Sequence, residues 1–156
     1  MALADLARRV ASSDYAAWAA ESALAYPVAN TLHLLGLVLL VGGIGLVDLR
    51  LLGLFPRLPL APLAGALTPL AIGGLIILVA SGTVLFAADA LSLATSWTFR
   101  LKLVLIALAL ANALVFRWLF GRASPEPPSG AARLMALASL AFWLSVATAG
   151  RMIAYS

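Results

Sequence analysis

Between Arg57 and Asp89 the chain carries no ionisable side chain. A run of that length and apolarity exceeds the roughly 20 residues that a helix needs to cross about 30 Å of hydrocarbon. Three further apolar runs share its character, at about 28–47, 97–118 and 132–153, and this one reads as a span over about 63–88. Composition agrees: 64% of residues are hydrophobic, 10% are charged and the mean hydropathy is +1.09. Soluble domains carry about 25% charged residues and about 45–50% apolar ones, and so small a globule has too little interior to hide the excess. The pattern predicts an all-α integral membrane protein, a bundle of four transmembrane helices forming a single membrane domain over residues 1–156.

The ends of the spans are marked by punctuation. Pro27 ends the segment before it or opens the first span. Asp48-Leu49-Arg50 closes that span ahead of a loop containing Pro56, Pro59 and Pro62. In the second span, Pro69 and the pair Gly73-Gly74 predict a kink or a close helix contact. Residues 3–24 read as an amphipathic helix, with Leu3, Leu6, Val10 and Trp18 opposite Asp5, Arg8, Arg9, Ser12 and Asp14. Tyr15, Trp18 and Tyr26 suit headgroup depth, which places this helix on the bilayer surface. These early charges also break up any apolar core of a signal peptide.

The net charge of +4 and the isoelectric point near 10.4 do not point to nucleic acid, because the basic residues stand in ones and twos at the ends of apolar runs. The lipid bilayer is the expected partner. With no cysteine, disulfides, thiolate chemistry, Cys-ligated metal centres and covalent haem attachment are excluded. Phosphate loops, dinucleotide fingerprints and metal-spaced histidine clusters are missing as well.

The loops at 48–62 and 117–133 hold Arg50, Arg57, Arg117, Arg122 and Arg133, whereas the loop at 89–96 holds no basic residue. The positive-inside rule then puts both basic loops in the cytoplasm and both termini outside. Arg8, Arg9, Arg100, Lys102 and Arg151 lie on the other side and weigh against this assignment.

His33 is the only ionisable residue within the first span. An ionisable group at such depth marks a function by default, though a neutral imidazole bonded to a neighbouring helix is an equally good account. Asn30 lies one turn earlier on the same face, where it would orient the ring. Depth groups further residues with the histidine. Arg100 and Lys102 in the third span and Arg151 near the end of the fourth fall in the same outer slab, with Trp97 and Tyr155 close by and Asp89 as counter-ion. The bland account is snorkelling to lipid phosphates, which suits Arg100 and Arg151 better than Lys102.

The functional account is an anion-binding pocket containing a histidine. Haem b would take His33 as axial iron ligand and the cations for its propionates, with Met152 or a second copy completing the iron. A quinone would take His33 and Lys102 as hydrogen-bond donors, and an anionic solute the cations alone. At the opposite end, Asp48 with Arg50 or Arg117 reads as an ordinary interfacial ion pair. Asn112, in the middle of the third span, reads as interhelical glue. Gly36, Gly42, Gly43 and Gly45 form a glycine face that would let the first helix pack closely, in a homo-oligomer among other possibilities.

Several blocks in order resemble an uncharacterised bacterial family of four-helix membrane proteins, DUF6644. They are Tyr26-Pro27, His33-Leu34-Leu35-Gly36-Leu37, Asp48-Leu49-Arg50-Leu51-Leu52-Gly53, Trp97-Thr98-Phe99-Arg100-Leu101-Lys102 and Ala149-Gly150-Arg151-Met152-Ile153. The resemblance covers nearly the whole chain and implies a bacterial inner-membrane location and four helices, without supplying an activity. The family pattern carries an acid three residues before the histidine, where this chain has Asn30. A looser likeness to b561-type cytochromes and copper-resistance membrane proteins is one of architecture alone.

The leading expectation is therefore a redox-linked membrane protein that binds haem b or quinone through His33, Asn30, Arg100, Lys102 and Arg151. A structural or assembly subunit and a transporter of a small anion or metal stand as alternatives. Because the chain lacks cysteine, introduced thiols report the topology. Ser92→Cys is expected to react with a membrane-impermeant maleimide in intact cells, and Arg57→Cys only after permeabilisation.

Overall fold

The computed structural model describes residues 2–121 and 127–155; Arg122, Ser124, Pro125 and Glu126 of the polar loop, Arg122 among the charges used for orientation, lie outside them. The described residues form helices α1 (Ala2–Ala11), α2 (Asp14–Glu21), α3 (Ala25–Leu51), α4 (Leu60–Ala88), α5 (Ala90–Thr95), α6 (Trp97–Phe120) and α7 (Gly130–Met152), ending in a 3₁₀ turn (Ile153–Tyr155). Four of these, α3, α4, α6 and α7, are long and apolar enough to cross a membrane. The shortest of them has 23 residues and is about 35 Å long at about 1.5 Å per residue. The chain is a four-helix membrane bundle.

Each span extends beyond the apolar run that marks it. α3 begins ahead of Pro27, which sits in the first turn, where a missing N–H costs no hydrogen bond. It continues past Val47 to Leu51 because Asp48 and Arg50 are buried in the bundle and not set at the headgroups. α6 ends at Gly121, whose φ of 64° is easy for glycine and stops the helix.

The N-terminal segment expected as one helix over 3–24 is two. Ser13 breaks it by capping α2, its side chain accepting from the Ala16 N–H at 3.3 Å. The apolar side of α1 packs on protein: Leu3, Ala7 and Val10 meet Ala90 and Ala94 of α5 and Phe86 of α4. α2 sets Ala16 and Ala19 against Ala87 at the end of α4. Together α1, α2 and α5 cap the end of the bundle where α3 and α6 begin, called here the outer end, with Leu6, Tyr15 and Trp18 left exposed.

The tightest pairing in the bundle is α3 on α4. A Cβ added at Gly74 would stand 2.6 Å from the Leu40 nitrogen and 2.7 Å from the Gly36 carbonyl oxygen. One added at Gly36 would stand 2.8 Å from the Gly74 oxygen, and Gly43 is similarly closed by the Leu67 carbonyl at 3.0 Å. The glycine face of the first span is thus filled from within the chain at Gly36 and Gly43, while Gly42 meets nothing within 4 Å. Without hydrophobic drive between helices in lipid, such close backbone packing is a main source of association.

α7 packs on both α3 and α6. α6 and α4 meet through side chains, with Phe86 stacked on Phe99 at 5.5 Å between centroids. The middle of the bundle is an apolar layer of Leu40, Ala71, Ala109, Trp143 and Val146, with Val41, Ile44, Leu75, Leu78, Leu105 and Ile106 around it.

The two glycines of the Gly73-Gly74 pair give a controlled test. Gly74→Ala is expected to destabilise the bundle by about 1–3 kcal/mol through overpacking against backbone. Gly73→Ala, facing open space, should not destabilise it. Thermal unfolding of both variants in detergent, followed by size-exclusion chromatography, checks the difference.

Candidate functional site

About two turns before Leu40 of the apolar layer, where α3 and α4 are still drawn together by Gly36 and Gly74, α3 presents His33. The ring is half-buried, and its Nδ1 lies 2.9 Å from the hydroxyl of Ser81 on α4. Ser81 is itself buried, and its Oγ donates to the Ile77 carbonyl one turn back at 2.6 Å. The neighbouring Gly82 leaves room for the ring, since a Cβ there would stand 3.4 Å from His33 Cε1.

The serine's own bond favours one tautomer of the ring. Serine has one proton, and Ser81 directs it to Ile77, so toward His33 its oxygen is an acceptor. Nδ1 therefore carries the hydrogen and donates, and in the neutral imidazole Nε2 is left with its lone pair. That nitrogen can accept a hydrogen bond, take a proton or bind a metal. It is a donor only when the ring is doubly protonated.

Lys102 reaches this region from α6. Its stem crosses to α7 over Gly150, where a Cβ would stand 3.2 Å from Nζ, and the side chain is half-buried. Histidine and lysine, from two different helices, thus form the polar centre of the outer half.

The other residues grouped by depth have structural partners. Arg100 is exposed, and its Nε and Nη2 donate to the Ala94 carbonyl at 3.1 and 2.8 Å, closing the last turn of α5. Arg151 is exposed too, donating to the Tyr155 hydroxyl at 2.6 Å and lying 5.0 Å from the centre of that ring. Asn30 is exposed, and the ring it was expected to orient is held from α4 by Ser81. Asp89 is exposed at the junction of α4 and α5, and Met152 is exposed at the end of α7. Asn112 does act between helices, donating from Nδ2 to the Met135 carbonyl of α7 at 3.0 Å.

Beside the histidine, an apolar groove of about 460 Å³ opens between α2, α3 and α4, bordered by Trp18, Val28, Ala29, Leu32 and Val84 and reaching Ser81. Its size falls within the range of small-molecule sites, about 300–1,000 Å³. Ser81 is the residue that the sequence reading missed. A single serine followed by glycine inside an otherwise apolar span was its only mark.

At the inner end the expected interfacial ion pair is replaced by a buried arrangement. Asp48 is only 4% exposed and has the Ser139 hydroxyl of α7 as polar neighbour, while Arg50 donates from Nε to the Leu58 carbonyl at 2.6 Å. Arg117, the other expected partner, is exposed. Among the described residues no group of three or more His, Asp or Glu side chains is placed to hold a metal ion.

No family model, curated protein or solved structure matches the chain.

The His33–Ser81 bond should be measurable on its own. Ser81→Ala leaves the Nδ1 hydrogen without its hydroxyl acceptor and is expected to lower stability by about 1 kcal/mol, within the range for such bonds in lipid. In a His33→Ala background the same change should cost less, as a double-mutant cycle of thermal unfolding would reveal.

Proposed function

We propose that this multi-pass membrane protein binds a quinol in the outer half of its bundle, in a bacterial inner membrane. The observation that carries the reading is the contact of His33 Nδ1 with Ser81, whose hydroxyl donates to Ile77. Nδ1 is committed to Ser81, so Nε2 offers a lone pair to a hydroxyl. A quinol hydroxyl is the matching donor, and its oxygen is an acceptor for the Lys102 ammonium. Binding the reduced form in this way places a base and a cation where a hydroxyl proton would leave. The groove that reaches Ser81 is apolar along its length and suits an isoprenoid tail.

Haem b is the weaker fit to the same residues. Nε2 of His33 could ligate iron, with Nδ1–H held as second-shell bonds usually hold it. His33 is the only histidine, however, and Arg100 and Arg151, expected at the propionates, are bonded to Ala94 and Tyr155. Transport of a solute is supported less, since the layer of Leu40, Ala71, Ala109, Trp143 and Val146 lies between His33 and Asp48. The reading as a structural subunit draws on α6, which buries only Ala109 and leaves Trp118 82% exposed. For the location, the support is the resemblance of the motif blocks to bacterial four-helix membrane proteins.

Purification in mild detergent, organic extraction and chromatography of the extract test the proposal. Quinone is expected in near-stoichiometric amount in the wild-type protein and to be lost in His33→Ala and reduced in Lys102→Met, with all three eluting at one size. Equal quinone in wild type and His33→Ala, or none in either, would overturn it. A Soret band that shifts on dithionite reduction and vanishes in His33→Ala would assign haem in its place.

A further inference from the structure

The inner half of the bundle holds a second polar centre that the outer site does not use. Asp48 stands one turn before the end of α3 and is 4% exposed. Its Oδ2 is buried and has no hydrogen-bond partner among the described residues. The polar neighbour of the carboxyl is the Ser139 hydroxyl, which has one proton to give. A charged carboxylate has four lone-pair sites to satisfy, and burying it without donors or a counter-charge is among the most expensive arrangements in a protein.

Among the described residues, those packed around Val47 and Leu51 at this depth are apolar. α4 brings Leu60, Ala64 and Leu67, α6 brings Phe116, and α7 brings Ala136 beside Ser139, all gathered around Val47 and Leu51 of α3. The nearest cation in sequence is Arg50, two residues on and so on another side of the helix, with its Nε turned to the Leu58 carbonyl. Arg57, Arg117 and Arg133 are exposed. Beyond Leu51 the helix ends, and the connecting residues 53–59 are exposed.

We propose that Asp48 is a proton-binding site, a carboxylic acid loaded from the inner face of the membrane and held against α7 by Ser139. Adding a proton to the orphaned oxygen removes the charge that nothing around it balances. A metal cation would need several more oxygen ligands than Asp48 and Ser139 provide. The site is separate from His33, since the apolar layer around Leu40 and Trp143 divides the two and leaves Asp48 to exchange with the inner side alone. This inference does not rest on the reading of the outer site.

Dicyclohexylcarbodiimide tests it, because this reagent partitions into the bilayer and reacts with a carboxylic acid but not with its carboxylate. The full chain in liposomes is treated at a series of pH values, and the adduct is located by mass spectrometry of its peptides. The acids Asp5, Asp14, Glu21 and Asp89 are exposed and serve as internal controls. The expected result is an adduct on Asp48 that forms more slowly as pH rises, is lost in Asp48→Asn, and is insensitive to sodium, potassium and magnesium. Suppression of labelling by one of these ions at constant pH would overturn the proposal in favour of a metal site. Absence of an adduct on Asp48 at every pH would overturn it outright. Mapping in the wild-type protein decides the matter even if Asp48→Asn does not fold.

Discussion

Where α3 crosses α4 at Gly36 and Gly74, the two backbones come so close that no side chain fits between them. The rest of the bundle is arranged about this contact. It brings Ser81 within hydrogen-bond reach of His33 on one side. Further inward, Gly43 continues the approach against Leu67 and Ala71. In water, apolar side chains drive helices together, but in a bilayer the tails are as apolar as leucine and the gain comes from surfaces that fit. A pair of glycines opposite each other gives the largest surface of this kind, backbone on backbone.

The solvent also explains how the polar groups are distributed. Hydrocarbon offers no hydrogen bonds, so donors inside the bundle turn to acceptors within the chain. Ser81 satisfies its own proton on Ile77 and lends its oxygen to His33. Asn112 uses the Met135 carbonyl, and Arg50 uses that of Leu58. Such bonds stitch α3 to α4 in the outer half and α6 to α7 in the inner half. Between them lies an apolar layer built around Leu40, Trp143 and Val146. Two polar centres on one helix, His33 and Asp48, are thereby insulated from each other.

Much of this was open to inspection in the chain itself, and for one reason. Lipid penalises charge so heavily that the stretch from Leu58 to Ala88 could be nothing but a span, and the other three followed. The ends were harder to read. Asp48 and Arg50 look like the headgroup boundary, yet both are buried and α3 runs on to Leu51. The candidate site was legible in one coordinate only. Depth along the membrane normal follows from counting residues, and it grouped His33, Arg100, Lys102 and Arg151. Rotation about each helix axis does not, and Arg100 and Lys102 lie two residues apart, some 200° around the helix. The lysine runs over Gly150 of α7, whereas the arginine closes α5. Ser81 escaped notice because a serine inside an apolar helix so often bonds only its own backbone, as this one also does.

The sparse burial of α6 bears on how the chain is assembled. The spans pair in the order in which they follow one another, α3 with α4 and then α6 with α7. During synthesis, α6 therefore waits in lipid with most of its circumference unaccompanied. A helix in that position must be stable as an independent insertion unit, and its ring of Leu, Val and Ala residues around a single asparagine suits it to do so. The bond from Asn112 to Met135 forms only on the arrival of α7, and it fastens the late pair in register.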